Sequence, residues 1–185
     1  VRDILRVKFL IGLFDAPYQT DLAGADDEVE NEANEAVALQ ASRESIVLLK
    51  NTDNTLPLNI DKIKKIAVCG PNADEEGYAL THYGPLAVEV TTVLEGIREK
   101  AQGKAEVLYT KGCDLVDAHW PESKIMESPL TPDEKAEIDR AAANARQADV
   151  AVVVLGGGQR TCGENKSRTS LELPGHQLKL LQAVQ

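Results

Sequence analysis

The 185-residue sequence predicts an α/β fold, in which a mostly parallel sheet lies between helices in three α/β/α layers. The first observation is the alternation of short apolar segments at 65–70, 105–110 and 149–156 with helical patterns at 92–100 and 131–147. The second is the length of the connections, which is sufficient for the crossovers that parallel strands require. One helix and a linker are expected to precede this part of the chain.

Before the first strand, the sequence predicts this helix, the polar linker and then a second helix. Apolar residues recur at helical intervals over residues 1–14, and Pro17 is expected to end this helix. Residues 19–31 are rich in Asp, Glu, Gly and Ala, which is typical of a solvated linker or of a strap over a surface. Helix formers and apolar side chains predict the second helix over residues 32–50, and a turn around Pro57 follows it.

The helices that flank the sheet begin at recognisable caps. Thr92 and Glu95 have the spacing of a capping box, in which each side chain accepts a hydrogen bond from the other residue's backbone N–H. Thr131 and Glu134 have the same spacing, and Pro132 between them presets the first helical turn. We therefore expect these helices to begin at Thr92 and Thr131.

The last strand and the last helix complete the predicted elements. Residues 149–156 are apolar on both faces, as in a central parallel strand. Residues 176–185 carry a helical pattern up to the end of the sequence, and His176 at its start is interpreted as structural. Because this helix has no C-terminal cap and the first residue is Val1 rather than Met, we expect the chain to be part of a longer protein.

The charge balance argues against two classes of partner. The 30 acidic and 20 basic residues give a net charge of −10, which repels phosphate backbones and anionic lipid. Neither nucleic acid nor a membrane surface is therefore expected as a partner. The sequence also lacks an apolar run of the roughly 20 residues that a membrane-spanning helix requires.

Three cysteines, Cys69, Cys113 and Cys162, are too few and too scattered for a disulfide scaffold or a zinc site. We interpret all three as structural. Cys69 lies inside an apolar segment and is expected in the core, because a free cysteine behaves as a small hydrophobic residue. The cysteines therefore do not decide between an oxidising and a reducing compartment.

Each predicted strand is followed by a long connection: loop 1 (residues 71–90), loop 2 (residues 113–130) and loop 3 (residues 157–173). Connections of this length are usually functional or disordered. All three leave from the carboxyl edge of the sheet, where open α/β folds bind ligands. A functional site is therefore expected to be built from these three loops.

Loop 3 carries the residues that most clearly indicate a catalytic role. It follows a run of glycines at 156–158 and contains Glu164 among the basic residues Arg160, Lys166 and Arg168. The carboxyl group of Glu164 would serve either as a general acid/base or as one member of a solvated charge pair. The glycine run does not match the dinucleotide-binding fingerprint, so nucleotide binding is not favoured.

Aromatic side chains in the other two loops allow two interpretations each. Tyr78, Thr81, His82 and Tyr83 in loop 1 form a polar, aromatic cluster that suits a sugar, or that packs the loop on itself. Trp120 in loop 2 is either a stacking platform or an anchor between the loop and the core.

Five segments, in order, resemble consecutive landmarks of glycoside hydrolase family 3, and most closely its bacterial β-glucosidase and β-xylosidase branch. Together they span essentially the whole chain. They are residues 1–14, 40–51, 65–74, 94–97 and the motif Ser-Leu-Glu-Leu-Pro-Gly at 170–175. The resemblance implies a two-domain enzyme with a (β/α)8-type barrel followed by a six-stranded α/β sandwich. Residues 1–18 would be the last helix of the barrel, 19–35 the linker and 36–185 the first half of the sandwich.

The resemblance also implies a retaining mechanism and a set of site residues. The family's aspartate nucleophile lies on the barrel, outside this segment, so the chain alone is expected to be inactive. Glu164 falls on the family's acid/base and Arg168 on its arginine, a substrate-binding residue, whereas Ser167 stands where the family pattern has an aspartate. His82 and Tyr83 fall near a serine that often reaches the sugar in the family.

The expected function is hydrolysis of terminal β-D-glucosyl residues from oligosaccharides or glycosides by a retaining exo-β-glycosidase. The alternatives are a β-xylosidase of the same family and a non-catalytic α/β module that binds carbohydrate or another small ligand. The resemblance implies no metal or organic cofactor, a periplasmic or secreted location, and the barrel of the same enzyme as a partner. An isolated chain is expected to expose an unpaired strand edge and to associate, for example as a homodimer.

Overall fold

A computed structural model of the protein describes residues 1–15, 24, 31–77, 90–126 and 128–185. It divides into two units, Val1–Leu56 and Pro57–Gln185. Among its described residues, the first unit contains helix α1 (Arg2–Leu10), helix α2 (Glu32–Ser45) and a 3-10 turn (Thr52–Asn54).

Helix α1 ends earlier than its apolar pattern indicates. Gly12 has φ +71°, and its N–H donates to the Phe9 carbonyl at 3.0 Å, while the N–H of Leu13 donates to the Lys8 carbonyl at 3.1 Å. These two bonds form a Schellman cap, which glycine favours because it adopts positive φ without steric cost. The expectation that Pro17 ends the helix was therefore wrong, since the helix ends before that residue is reached.

Helix α2 begins where the side chain of Asn31 accepts a hydrogen bond from the N–H of Asn34 at 2.9 Å. It ends at Ser45, and Ile46 is extended with φ −73° and ψ 124°. The predicted continuation to Lys50 was wrong. Two β-branched residues, Ile46 and Val47, follow the last helical residue, and such residues lose side-chain freedom in a helix and favour extended backbone.

The second unit is the predicted α/β layer structure. Its strands form a parallel sheet in the order β2-β1-β3, with Val68 of β1 opposite Tyr109 of β2 and Val152 of β3. None of the described helices is long and apolar enough to cross a membrane. The elements are β1 (Lys65–Cys69), α3 (Val93–Ala101), β2 (Glu106–Thr110), α4 (Pro132–Arg146), β3 (Val150–Val153) and α5 (Gln177–Val184), with 3-10 turns at Ile60–Lys62 and Glu122–Lys124.

Alternate residues of β1 face two separate hydrophobic cores. Ile66 and Val68 pack in a cluster with Leu94 of α3, whereas Cys69 packs in a second cluster with Leu180 of α5 and residues of α4. Because successive side chains of a strand point to opposite faces, α3 lies on one face of the sheet and α4 and α5 lie on the other. The predicted three-layer α/β/α arrangement is confirmed.

The central strand of the described sheet is β1, not the 149–156 segment. That segment is shorter than predicted, Val150–Val153, and pairs only with β1 among the described strands. Its apolar character on both faces is explained by packing, because Val152 contacts the α3-side cluster and Val153 contacts the α4-side cluster. Association through the edge of β3 that no described strand covers stays a prediction.

Both predicted capping boxes are present. The N–H of Glu95 donates to the Thr92 hydroxyl at 3.2 Å, and the N–H of Thr92 donates to the Glu95 carboxylate at 2.8 Å. Thr131 and Glu134 form the same pair of bonds, at 2.8 and 3.2 Å. The Thr92 hydroxyl also donates to Asp74 at 3.1 Å, which ties the start of loop 1 to α3.

The three thiols are expected to differ sharply in reactivity. Burial raises the pKa of Cys69 to about 11 and that of Cys113 to about 12, whereas Cys162 is exposed. Because the thiolate is the reactive form, a thiol reagent should modify only Cys162 rapidly in the folded protein, and the other two only after unfolding in urea. The Cys162→Ser variant should lose the rapid phase. Rapid modification of a second thiol without denaturant would contradict this prediction.

Candidate functional site

The strand order places a switch point at the carboxyl edge of the sheet. The chain moves from β1 to β2 on one side and then back to β3 on the other side of β1. Loops 1 and 3 therefore leave the sheet side by side, and loop 2 leaves from the same edge. In open α/β sheets such a switch point is where ligands bind.

Two glycines at the base of loop 3 are held by buried polar side chains. The Asn72 amide donates to the Gly157 carbonyl at 3.0 Å, and the Thr161 hydroxyl accepts from the Gly158 N–H at 2.9 Å. A Cβ at Gly157 would lie 2.8 Å from that hydroxyl, and a Cβ at Gly158 would lie 2.8 Å from the side chain of Leu115. A side chain at either position would therefore force Thr161 or Leu115 to shift.

The first glycine of the run is held by Gln177 at the start of α5. Its amide oxygen accepts from the Gly156 N–H at 2.8 Å, and its amide nitrogen donates to the Gly156 carbonyl at 2.9 Å. The same nitrogen donates to the Leu115 carbonyl of loop 2 at 2.9 Å. The N–H groups of Gly156 and Gly158 thus both donate to polar side chains of the protein itself.

Direct hydrogen bonds join loop 3 to both neighbouring loops. The Gln159 amide donates to the Gly77 carbonyl of loop 1 at 2.6 Å. The Lys124 ammonium of loop 2 donates to the Ser167 carbonyl at 2.6 Å. The three loops therefore gather at one edge of the sheet, as predicted.

A cavity of about 400 Å³ lies between the three loops and is called the edge cavity below. Its charged lining includes Glu75 of loop 1, Lys111 just before loop 2, Asp114 of loop 2 and Arg160 of loop 3. Lys111 and Asp114 form an ion pair of 2.5 Å, and this hydrogen bond raises the pKa of the Lys111 ammonium group against the opposing effect of burial. Charged walls of both signs suit a neutral ligand rich in hydroxyl groups.

The predicted acid/base and its companion arginine lie further along loop 3. Glu164 is exposed, four residues beyond Arg160. Arg168 is half-buried, and its guanidinium donates to the backbone carbonyl of Glu172. The other two predicted contacts, His82 and Tyr83, lie outside the described residues, as do Tyr78 and Thr81.

Trp120 lies beside a second cavity, of about 310 Å³, that is also lined by Arg168 and His176. The Lys124 ammonium lies 4.8 Å from the centre of the indole ring, which is within the range of a cation–π interaction. Trp120 is half-buried. Both interpretations of the indole, as a platform for a ligand and as an anchor for loop 2, stay open.

A buried aspartate organises the turn that precedes Trp120. The Asp117 carboxylate accepts from the Ser123 hydroxyl at 2.7 Å and from the His119 N–H at 2.9 Å. Burial alone raises the pKa of Asp117, but these hydrogen bonds outweigh that effect and lower the pKa below its usual value. Asp117 therefore stays ionised and fixes the path of loop 2.

His176 ties the end of loop 2 to the start of two helices. It is buried, its Nε2 donates to the Ser128 carbonyl at 2.8 Å, and its Nδ1 lies 3.3 Å from the Glu134 carboxylate. The backbone N–H of Thr131 and His176 itself both lower the pKa of Glu134. These contacts support the structural interpretation of His176. Within the described ranges, no group of three or more His, Cys, Asp or Glu side chains is placed to hold a metal ion.

Residues 46–185 match the Glycosyl hydrolase family 3 C-terminal domain. The chain belongs to glycoside hydrolase family 3. It is 34% identical over 188 residues to a "Beta-xylosidase" from Formosa agariphila, which covers 98% of this chain and 24% of that protein. It is 34% identical over 196 residues to a "Periplasmic beta-glucosidase" from Salmonella typhimurium, which covers 99% of this chain and 25% of that protein.

Solved β-glucosidase structures share the fold. A β-glucosidase involved in saponin metabolism from intestinal bacteria superimposes with a TM-score of 0.78 at 32% identity, over 98% of this chain and 26% of that structure. A β-glucosidase from Listeria innocua in complex with glucose gives a TM-score of 0.70 at 28% identity, over 97% of this chain and 22% of that structure. The chain therefore spans about a quarter of the length of these relatives.

Sequence reasoning missed the side chains that hold loop 3. Asn72, Thr161 and Gln177 are all buried polar residues, and each bonds a backbone group of the glycine run. The one available signal was the Gly-Pro-Asn sequence directly after the first strand, which indicates a polar group at the carboxyl edge. No comparable signal marks Gln177, which lies at the start of a short helix.

Proposed function

We propose that this chain is the segment of a retaining exo-β-glycosidase that supplies the general acid/base, and that the enzyme removes terminal β-D-glucosyl residues from oligosaccharides or glycosides. The observation that carries the proposal is the position of Glu164. It lies on a loop that leaves the sheet at its switch point, in a chain that belongs to a glycosidase family. The charged and polar residues that line part of the edge cavity beside the same loop agree with a hydroxyl-rich substrate.

The proposed reaction has two steps. In the first, a carboxylate attacks the anomeric carbon while the Glu164 carboxylic acid gives its proton to the leaving glycosidic oxygen, and a covalent glycosyl–enzyme forms. In the second, Glu164, now ionised, takes a proton from water, which attacks the same carbon and releases the sugar with its original configuration. Arg168 is proposed to hold loop 3 or a sugar hydroxyl group.

The nucleophile is proposed to come from a preceding barrel. Residues 1–18 would be the last helix of that barrel, 19–35 a linker and 36–185 the first half of the sandwich domain. The lengths of the relatives support this organisation, because the chain covers about a quarter of them. A periplasmic or secreted location is proposed by analogy with the periplasmic relative.

The stereochemistry of hydrolysis tests the proposal. Proton NMR of an aryl β-glucoside treated with the full-length enzyme should show β-glucose as the first product, before mutarotation. The 185-residue chain alone should release no sugar from the same substrate, because one carboxylate cannot be both the nucleophile and the acid/base, and the proposed nucleophile lies outside this chain. First formation of α-glucose, or hydrolysis by the chain alone, would contradict the proposed mechanism.

A β-xylosidase is the second candidate, and one comparison favours it. The relative from Formosa agariphila is called a β-xylosidase and matches this chain at the same 34% identity as the β-glucosidase from Salmonella typhimurium. The ratio of kcat/KM for nitrophenyl β-glucoside to that for nitrophenyl β-xyloside decides between the two. A ratio above one supports the glucosidase, and a ratio below one supports the xylosidase.

A further inference from the structure

The glycine run is enclosed by three polar side chains that solvent barely reaches. The exposed fraction is 0% for Gln177, 2% for Thr161 and 6% for Asn72. They come from α5, from loop 3 itself and from loop 1, and each bonds one glycine of the run at 156–158. We call these three side chains the glycine clamp.

Gln177 uses most of the hydrogen-bonding capacity of its side-chain amide within the clamp. Gln177 uses its amide oxygen for one N–H and its amide nitrogen for two carbonyls, all at 2.8 or 2.9 Å. It therefore pairs with Gly156 as the peptide group of a neighbouring strand would, although β3 has ended at Val153. A fully buried amide with this set of partners is fixed in one orientation.

Loop 3 requires such restraint for geometric reasons. Three successive glycines have access to more backbone conformations than any other tripeptide, and Gly156 has φ +149°. Glu164 follows the run by six residues. A retaining pair of carboxyl groups must be about 5 to 5.5 Å apart, so variation in the direction of the loop would carry Glu164 out of range.

We propose that the glycine clamp positions the acid/base for catalysis: Gln177, Thr161 and Asn72 set the direction in which loop 3 leaves the sheet and thereby place Glu164 at the glycosidic oxygen. The inference rests on the proposed function, since it assumes that Glu164 is the acid/base. The clamp residues are buried and act on Glu164 through the glycine run, so they are positioning residues.

The test compares two identical substitutions in the full-length enzyme. Thr161→Val removes the hydroxyl that binds Gly158, whereas Thr110→Val removes a hydroxyl that accepts from Asn144 at 2.7 Å and joins β2 to α4. Thr161→Val should lower kcat/KM for a disaccharide by about tenfold or more, because small misplacement of a catalytic group is costly. Its kcat/KM for a dinitrophenyl glycoside, which needs no proton, should fall by less than about twofold. Thr110→Val should leave unchanged the ratio of kcat/KM for the disaccharide to kcat/KM for the dinitrophenyl glycoside.

Two further variants separate positioning from folding. Thr161→Ser keeps the hydroxyl and should restore the ratio of the wild-type enzyme. Gln177→Leu should change the ratio in the same direction as Thr161→Val, and hydrogen exchange should show faster exchange of the backbone amides at 156–158 with the sheet amides unaffected. If Gln177→Leu does not fold, the threonine variants alone decide.

The outcomes separate the clamp from the acid/base assignment. An equal loss on both substrates for Thr161→Val, or a Thr161→Ser variant as impaired as Thr161→Val, would overturn the positioning role. Glu164→Gln is measured alongside. If Glu164→Gln shows no dependence on the leaving group, the proposed function fails. If the loss of activity depends on the leaving group for Glu164→Gln but not for Thr161→Val, only the clamp inference fails.

Discussion

Replacement of Glu164 by glutamine in the full-length enzyme is expected to lower kcat/KM for disaccharides and alkyl glycosides by about 10²- to 10⁴-fold, the usual contribution of a general acid. Glutamine has nearly the same shape but cannot release a proton to the leaving oxygen. Dinitrophenyl glycosides should keep a kcat/KM close to that of the wild type, because their leaving group departs as a stable anion. A plot of log kcat/KM against the pKa of the leaving phenol measures the difference.

The same variant should also be slow in the second step. Without a base to activate water, the glycosyl–enzyme formed from a dinitrophenyl glycoside should accumulate, and stopped-flow measurement should show a burst of phenol. Glu99→Gln is the matched control, since Glu99 is an exposed glutamate on α3 and should behave as the wild type. Equal losses on all substrates for Glu164→Gln would exclude the acid role.

The second large effect is expected for Gly70→Ala, at the end of β1. Gly70 has φ +113°, and a Cβ there would lie 2.1 Å from the Val154 carbonyl oxygen and 2.8 Å from its nitrogen. The N–H of Val154 donates to the Cys69 carbonyl at 2.8 Å, so the methyl group would push apart β1 and β3 where loops 1 and 3 leave the sheet. We expect the free energy of unfolding to fall by about 3 to 5 kcal/mol, from backbone strain and overpacking together.

Gly103→Ala separates the two causes of that loss. Gly103 also has positive φ, +71°, but no atom lies within 4 Å of the Cβ position. Its substitution should lower the free energy of unfolding by only about 1 kcal/mol, because the backbone strain remains and the steric clash is absent. Urea unfolding of both variants, followed by circular dichroism, provides the measurement. A Gly70→Ala variant no less stable than Gly103→Ala would show that the close contact with Val154 is not maintained.

The elements of the fold were predictable where the signal is local. The capping boxes at Thr92 and Thr131 depend on residues three positions apart, so spacing alone identifies them. The parallel sheet followed from the alternation of apolar strands with helices, and its carboxyl edge followed from the direction of the strands. The gathering of the three loops at that edge was predictable for the same reason.

Helix ends were predicted less well, because two local preferences competed. In α1 the apolar pattern continues to Phe14, but Gly12 adopts positive φ and ends the helix first. In α2 the apolar residues after Ser45 fit a helical pattern and also fit extended backbone, and the β-branched Ile46 and Val47 decide for the latter.

The candidate site was predictable only in part. Residue chemistry alone favoured a solvated charge for Glu164 over a catalytic role, and the resemblance to family 3 selected it as the acid/base. The clamp could not be predicted, because Gln177 bonds Gly156 at a separation of 21 residues and Leu115 at 62. Such pairings depend on the packing of α5 against the sheet, which no periodicity encodes.

Azide rescue of a Glu164→Ala variant tests the central claim most directly. Azide attacks a glycosyl–enzyme without loss of a proton, so it needs no general base. If Glu164 is the acid/base, azide should accelerate turnover of a dinitrophenyl β-glucoside by the full-length variant, and NMR should identify the product as the β-glucosyl azide, formed by two successive inversions. Formation of the α-glucosyl azide would make Glu164 the nucleophile instead, and the absence of any acceleration would remove Glu164 from the chemistry.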